Sequence, residues 1–259
     1  MSPGSGERMD VFQFSPPPAD VRLLYGSDPL QFGDLRLPKT EGRHPVVIVI
    51  HGGFWRAAYD LDHIGHLCTA LAAAGLATWN VEYRRIGNNG GGWPGTFEDV
   101  LRGADYVATL AGKYPVDAKR TIAVGHSAGG HLALLLASRQ LVRGVVSLAG
   151  VADLRRAWEL GLSNNAAGSF LSGSPQEVPE RYRQASPLEL VPLGVPQRLV
   201  HGVKDDVVPF EMSENYVKAA KAAGDDARLV TLPEAGHFEL IDPRSGEWSH
   251  IQQTVLSLF

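Results

Sequence analysis

Three polar residues far apart in the chain have the types and the order that covalent acyl transfer requires. They are Ser127 in "GHSAGGH", Asp205 in "VHGVKDDVVP" and His237 in "LPEAGHFEL". A serine hydroxyl is unreactive at its own pKa and needs a histidine base, itself oriented by a carboxylate. Gly125-His126-Ser127-Ala128-Gly129 fits the G-x-S-x-G pattern, with an apolar strand-like run before it and a helix-like run after it. The small neighbours have a physical purpose. Such a serine takes a strained backbone conformation to project its oxygen from the sheet edge, and side chains at the two glycines would strike the adjoining strand and helix. Asp206 is the alternative acid, since a shift of one residue in its loop exchanges the pair. His126 flanks the nucleophile and is not the expected base.

Acyl transfer also builds negative charge on a carbonyl oxygen. Backbone N–H groups aimed at that position lower the barrier by roughly 3 kcal/mol each. "HGGFW", His51 to Trp55, follows an apolar run and supplies glycines that let backbone approach substrate. The expected donors are Gly53 and Phe54, with Ala128 after the nucleophile; Gly52 can replace one of the first two. His51 is expected to orient this loop. Trp55, Trp93 and Trp158, with Phe54, are the candidate lining of a substrate pocket. His63 and His66 stand three apart near Asp60 and Asp62, but without a further ligand cluster they are read as a solvated helix face, and no metal site is expected. His131 is expected to be a packing residue, and Arg84 to pair with Asp99.

These residues need a scaffold that brings strand ends together. "HPVVIVIHGG" holds five β-branched residues in succession, Val46 to Ile50, the pattern of a strand buried on both faces. "ATWNVEYR", "RTIAVGH", "VRGVVSLAG", "PQRLVHGVKD" and "DARLVTLPEAGH" read as further strands, and "VRLLYG" and "LQFGDLRLP" as two early ones. Helical segments alternate with them, including "DLDHIGHLCTALAAAGL", "GTFEDVLRGADYVATLAGKY" with Thr96 as N-cap, and "AGGHLALLLASRQ". Strands alternating with helices imply a mostly parallel sheet covered on both faces. Residues 151–190 interrupt the alternation and are expected to form a small lid over the C-terminal strand ends. Residues 1–20, rich in Pro, Gly and Ser, are expected to be an extension that wraps the surface or is partly disordered. Residues 21–259 form the main domain. "GNNGGGW" lacks the Lys-Ser/Thr end of a phosphate loop and reads as a flexible lid edge.

Bulk properties narrow the class. The 259 residues are 44% hydrophobic and 20% charged, ordinary for a globular chain. A net charge of −4 does not favour nucleic acid or an anionic membrane surface. A single cysteine, Cys68, excludes an intrachain disulfide framework. No apolar run approaches a membrane span, and the N-terminal stretch has no signal-peptide core. The expectation is a cytoplasmic protein acting on a small-molecule ester or amide without metal or organic cofactor. Nothing in the sequence indicates an oligomeric state.

Taken together, "HGGFW", "VEYRR", "WPGTFEDV", "GHSAGGHLA", "HGVKDDVVP" and "EAGH" resemble the α/β-hydrolase superfamily. The likeness runs from about Tyr25 to the C-terminus and points to the esterase and lipase branch that includes kynurenine formamidases (arylformamidases). It departs from two relatives' patterns: Gly130 follows Gly129 where GHSAGA is frequent, and Phe54 stands where H-G-G-G loops have glycine. The resemblance implies an α/β-hydrolase fold and a serine hydrolase cleaving small or aryl carboxylic esters. An arylformamidase, or a related amidase or peptidase, is the alternative. A non-catalytic binding protein on the same scaffold would have lost nucleophile or base, and both are present.

Overall fold

The β-branched run Val46–Ile50 lies in the middle of the molecule, and its side chains divide between two apolar layers. Val46, Ile48 and Ile50 face one cluster, and Val47 and Val49 face the other, all of them at most 1% exposed. Alternation across a strand places successive side chains on opposite faces, so an unbroken apolar run requires cover on both sides. Each such burial contributes about 1.5–3 kcal/mol. A charge at Ile48 would therefore have no face to turn to.

The computed structural model describes residues 11–259; the expectations for residues 1–10 lie outside the described residues. The strands are β1 (Val21–Leu24), β2 (Phe32–Arg36), β3 (His44–Ile50), β4 (Ala77–Val81), β5 (Val116–His126), β6 (Val145–Leu148), β7 (Gln197–Gly202) and β8 (Ala227–Leu232). They form one sheet in the order β1-β2-β4-β3-β5-β6-β7-β8. β1 and β2 are antiparallel to each other, β2 is antiparallel to β4, and every pairing from β4 to β8 is parallel. The helices are α1 (Gly65–Ala73), α2 (Gly95–Asp105), α3 (Val107–Lys113), α4 (Ala128–Ala137), α5 (Leu154–Glu159), α6 (Leu162–Leu171), α7 (Pro179–Ala185), α8 (Glu211–Ala222) and α9 (Trp248–Leu256). α1 and α9 contribute Leu67, Leu71, Ile251 and Val255 to one apolar layer, while α2, α3, α4 and α8 contribute Val100, Leu110, Leu132 and Tyr216 to the other. This is an α/β-hydrolase fold. Among the described residues no helix is long and apolar enough to cross a membrane.

Three local expectations differ from the structure. The helix read through residues 95–114 is two helices, α2 and α3, meeting at Tyr106, whose ring stacks on Trp79 at 5.7 Å. Thr96 is inside α2, and Pro94 holds the N-cap position. The Thr96 hydroxyl still serves the helix entrance, accepting from Gly92 N–H at 3.1 Å. The "GNNGGGW" loop is a tight turn, not a loose edge. A Cβ at Gly91 would stand 1.9 Å from the Arg85 carbonyl oxygen, and one at Gly95 1.9 Å from that of Gly90. The Arg84–Asp99 pair forms as expected, bidentate at 2.7 Å through both carboxylate oxygens, with Gln31 donating to the same carboxylate.

Candidate active site

β5 ends at His126 and α4 begins at Ala128, so Ser127 alone makes the bend. Its φ of 56° and ψ of −121° lie in a region that L-residues seldom occupy, at a cost of about 1–3 kcal/mol. The surroundings hold it there. Ser127 N–H donates to the Leu148 carbonyl at 2.8 Å, tying the bend to β6. A Cβ at Gly125 would lie 2.0 Å from the Gly129 oxygen, and one at Gly129 2.0 Å from the Ile50 oxygen. Both glycines are thus required by backbone approach, as the sequence implied. Gly130 has its own reason: a side chain there would meet Gly150 Cα at 2.8 Å and Ser147 Oγ at 2.7 Å. Ser127 precedes α4 without using its side chain as a cap, which leaves the hydroxyl available for chemistry.

The loops after β7 and β8 deliver the other two groups. His237 Nδ1–H donates to Asp205 Oδ2 at 2.7 Å, and both side chains are almost fully buried. Asp205 Oδ1 accepts from the N–H groups of Val207 and Val208 at 2.9 and 2.8 Å. Burial pushes the Asp205 pKa up, but hydrogen bonds from His201, His237 and Val208 together outweigh it and hold the carboxyl well below its ordinary range. Asp206 is exposed on the same loop. His237 is joined to the serine bend through His126. His126 Nε2–H donates to the His237 carbonyl at 3.0 Å, and the two rings lie 4.5 Å apart. Burial, first, and the neighbouring histidines keep His126 neutral, with a pKa far below that of free histidine.

The loop after β3 passes directly beside the bend. A Cβ on Gly52 would be 3.1 Å from Ser127 Cβ. Two side chains clamp this backbone: Tyr83 Oη donates to His51 O at 2.7 Å, and His51 Nδ1–H donates to Gly52 O at 2.8 Å. In a trans peptide the N–H points opposite to the C=O, so these bonds turn the Gly52 and Gly53 N–H groups away from their clamps. The N–H groups of Gly52, Gly53 and Phe54 donate to no group among the described residues. Phe54 and Trp55 have φ of 48° and 58° in a turn closed by Arg56 N–H to Gly53 O at 3.0 Å. Behind the loop, buried Glu82 accepts from His51 Nε2 at 3.1 Å and pairs with Arg85 at 3.3 Å. Burial opposes its ionisation, but His51, Arg85 and the Tyr83 N–H outweigh burial and lower its pKa. Glu82 and Tyr83 belong to the "VEYRR" segment, and their support of this loop depends on a contact between separate strand ends that no local pattern shows.

The aromatic candidates divide. Trp55 is 1% exposed; its ring stacks on Phe170 at 4.7 Å and its Nε1–H donates to His131 Nδ1, so it is core and lines no open pocket. Trp93 and Trp158 are half-buried, and Trp93 stacks on Phe97. Phe54 is half-buried beside Trp55. His131 packs as expected, bridging Trp55 and the Ala185 carbonyl. His63 is not on a solvated face: its ring meets those of Phe12, His51 and Tyr59 at 5.4, 5.7 and 6.4 Å. Burial pushes its pKa down to about 3. His66 donates to the Phe14 carbonyl at 3.0 Å. This contact belongs to a strap, residues 11–17, that crosses the rim. Phe12 lies edge-on to Phe238, the residue after His237, at 5.1 Å. Arg36 holds the Pro17 carbonyl at 2.9 Å. Residues 11–16 of the strap, with Ala58, Tyr59, Asp60, Asp62 and His63, line an open cleft of about 300 Å³.

Comparison with known proteins bears on the fold and the family. Esterase LipC of Mycobacterium tuberculosis is 29% identical over 88% of this chain and 62% of its own length. A probable isoprenylcysteine alpha-carbonyl methylesterase of Oryza sativa subsp. japonica is 24% identical over 91% of this chain and 62% of its own length. The chain thus spans about three-fifths of the length of these curated relatives. A truncated carbohydrate esterase from gut microbiota superposes with a TM-score of 0.80 at 22% identity, over 95% of this chain and 99% of that one. Esterase B from Lactobacillus rhamnosis superposes with a TM-score of 0.80 at 20% identity, over 95% and 89%. The BD-FAE family profile matches residues 34–219, a span that contains the serine bend, the loop after β3 and Asp205. By fold and by family, this chain is a member of the BD-FAE family, in the esterase branch of the α/β-hydrolases.

Proposed function

We propose that this chain is a serine hydrolase that cleaves small or aryl carboxylic esters through an acyl-enzyme. The observation that carries the reading is a strained, uncapped serine whose neighbour His126 donates to the His237 carbonyl at 3.0 Å, with His237 Nδ1–H held 2.7 Å from a buried carboxylate. With Nδ1 protonated and bonded to Asp205, the lone pair of His237 is on Nε2. That nitrogen takes the Ser127 proton as Oγ attacks the ester carbonyl carbon. Asp205, held ionised, balances the imidazolium that forms. The carbonyl oxygen becomes an oxyanion, which the N–H groups of Gly53, Phe54 and Ala128 receive; Gly52 is the alternative to one of the first two. Ala128 is the first residue of a helix, so its N–H has no partner within the helix. Collapse of the adduct breaks the ester C–O bond, and His237 returns its proton to the departing alcohol. Water then adds to acyl-Ser127 by the same steps and releases the carboxylic acid.

The rim has two walls. α5 to α7 form the lid side, tied down by Arg56 Nη2–H to Ser163 O at 2.7 Å and Trp93 N–H to Phe170 O at 2.9 Å. Phe54, Trp93 and Trp158 belong to this wall. On the strap side Phe238 lies edge-on to His237 at 5.0 Å, Phe12 packs on Phe238 and Tyr59 on Phe12, and this wall receives the alcohol portion. The esterase names of the relatives favour esters over formamides. The decisive assay compares p-nitrophenyl acetate, longer acyl esters and N-formylkynurenine on purified protein, with Ser127→Ala as control. Ester turnover that disappears in Ser127→Ala is expected. Turnover that survives the substitution removes the nucleophile, and a higher kcat/KM for the formamide reverses the substrate order.

A further inference from the structure

Beside Asp205 lies a second histidine that the mechanism above does not use. His201 is the penultimate residue of β7, and its side chain is wholly buried. Its Nε2 is 3.0 Å from the Val208 carbonyl oxygen and 3.2 Å from Asp205 Oδ2. Its Nδ1 is 2.7 Å from Ser213 Oγ on α8. A carbonyl and a carboxylate can only accept, so the ring proton is on Nε2. Nδ1 then accepts from the Ser213 hydroxyl, which can rotate to donate. Asp205 Oδ2 thus accepts from His237 at 2.7 Å and faces, at 3.2 Å, the same His201 N–H that is bonded to the Val208 carbonyl, while Oδ1 takes two backbone N–H groups.

We propose that His201, locked in its Nε2–H form by Ser213, is a positioning residue that holds the Asp205 carboxylate in line with His237 and limits how much negative charge His237 receives. The proposal rests on the function given above. Besides His201, the ionisable groups near the Asp205–His237 pair are His126, His63 and Glu239, whose carboxylate accepts from Gly236 N–H at 3.1 Å. Around His201 stand the Phe210 ring at 5.6 Å, Ser213 and Asp205; around His237 stand Asp205, His126 and Phe238, with His63 further off. The neighbouring Lys204 turns outward to pair with Glu234. His201 touches no substrate, so its loss acts on kcat and not on KM.

The test is a pair of variants and one spectrum. His201→Leu removes the donor, leaving Asp205 more charge to give the His237 imidazolium, which then keeps its proton to higher pH. The acid limb of the kcat/KM–pH profile with p-nitrophenyl acetate is expected to move upward, with kcat lower by about tenfold and KM unchanged. His201→Gln, whose amide nitrogen can occupy the Nε2 position, is expected to restore both. Ring ¹⁵N NMR of the unsubstituted protein is expected to show His201 protonated on Nε2. An unchanged limb and kcat in a folded His201→Leu variant overturns the proposal, as does a proton on Nδ1 or a Gln variant as impaired as Leu. If the Leu variant does not fold, the Gln variant and the spectrum decide. NMR titration of the His237 ring reads the same coupling without turnover, so loss of the esterase reading and loss of this one are separable.

Discussion

Asp205 Oδ2 stands 2.7 Å from Nδ1 of His237, whereas Asp206, its neighbour in sequence, faces solvent. One residue of loop register thus separates a buried, four-donor carboxylate from a surface one. Asp205→Asn is expected to lower kcat by about 10³–10⁴-fold by removing the charge that fixes the tautomer of His237. Asp206→Asn is expected to stay within about twofold, since exposed charges contribute little. Steady-state kinetics of the two variants side by side checks this.

Gly129 and Gly112 both sit in helices and have opposite surroundings. Gly129→Ala forces a methyl group to within 2.0 Å of a strand carbonyl, where only backbone can give way. Its unfolding free energy is expected to fall by about 3 kcal/mol or more. Gly112 in α3 has nothing within 4 Å of an added Cβ. Gly112→Ala is expected to raise stability by about 0.4–1 kcal/mol by narrowing the unfolded ensemble. Urea unfolding of both variants measures the contrast.

Acid sensitivity should begin well above the carboxylate range. Burial pushes His131 down to about 4, while the unfolded chain takes up the proton near 6.5. Between these values the unfolded state binds more protons, so stability falls as pH falls from about 6.5 to 4. The loss from this residue approaches about 3 kcal/mol. His131→Gln can keep a donor toward Ala185 without the titration. Its stability curve from pH 7 to 4, followed by chemical denaturation, is expected to be flatter than that of the unsubstituted protein.

Phe12 links the strap to the loop that carries His237 through Phe238, and to Tyr59. Phe12→Ala is expected to raise KM for esters of aromatic alcohols several-fold, on the order of the 0.5–1.5 kcal/mol of an aromatic contact, and to leave kcat nearly unchanged. Methyl esters with the same acyl group should show a smaller change. Equal effects on both alcohol series would place the alcohol elsewhere.

Much of this molecule was determined locally. The β-branched run of β3, the glycines flanking Ser127 and the alternation of strand and helix follow from side-chain period and backbone sterics within about ten residues, so they were legible in the sequence. The strand order placed Ser127, the Asp205 loop and His237 at one edge, because parallel strands send their C-terminal loops to the same rim. Tertiary structure alone decided the rest. It brought Asp205 rather than Asp206 to His237, turned Trp55 into core against Phe170, drew His63 under the strap, and set His201 and Ser213 beside Asp205. Each of these outcomes depends on which distant surface a side chain meets after the sheet closes. Residue type and spacing limit what a group can do, but its partner at 3 Å comes from another element, and no local pattern encodes that distance.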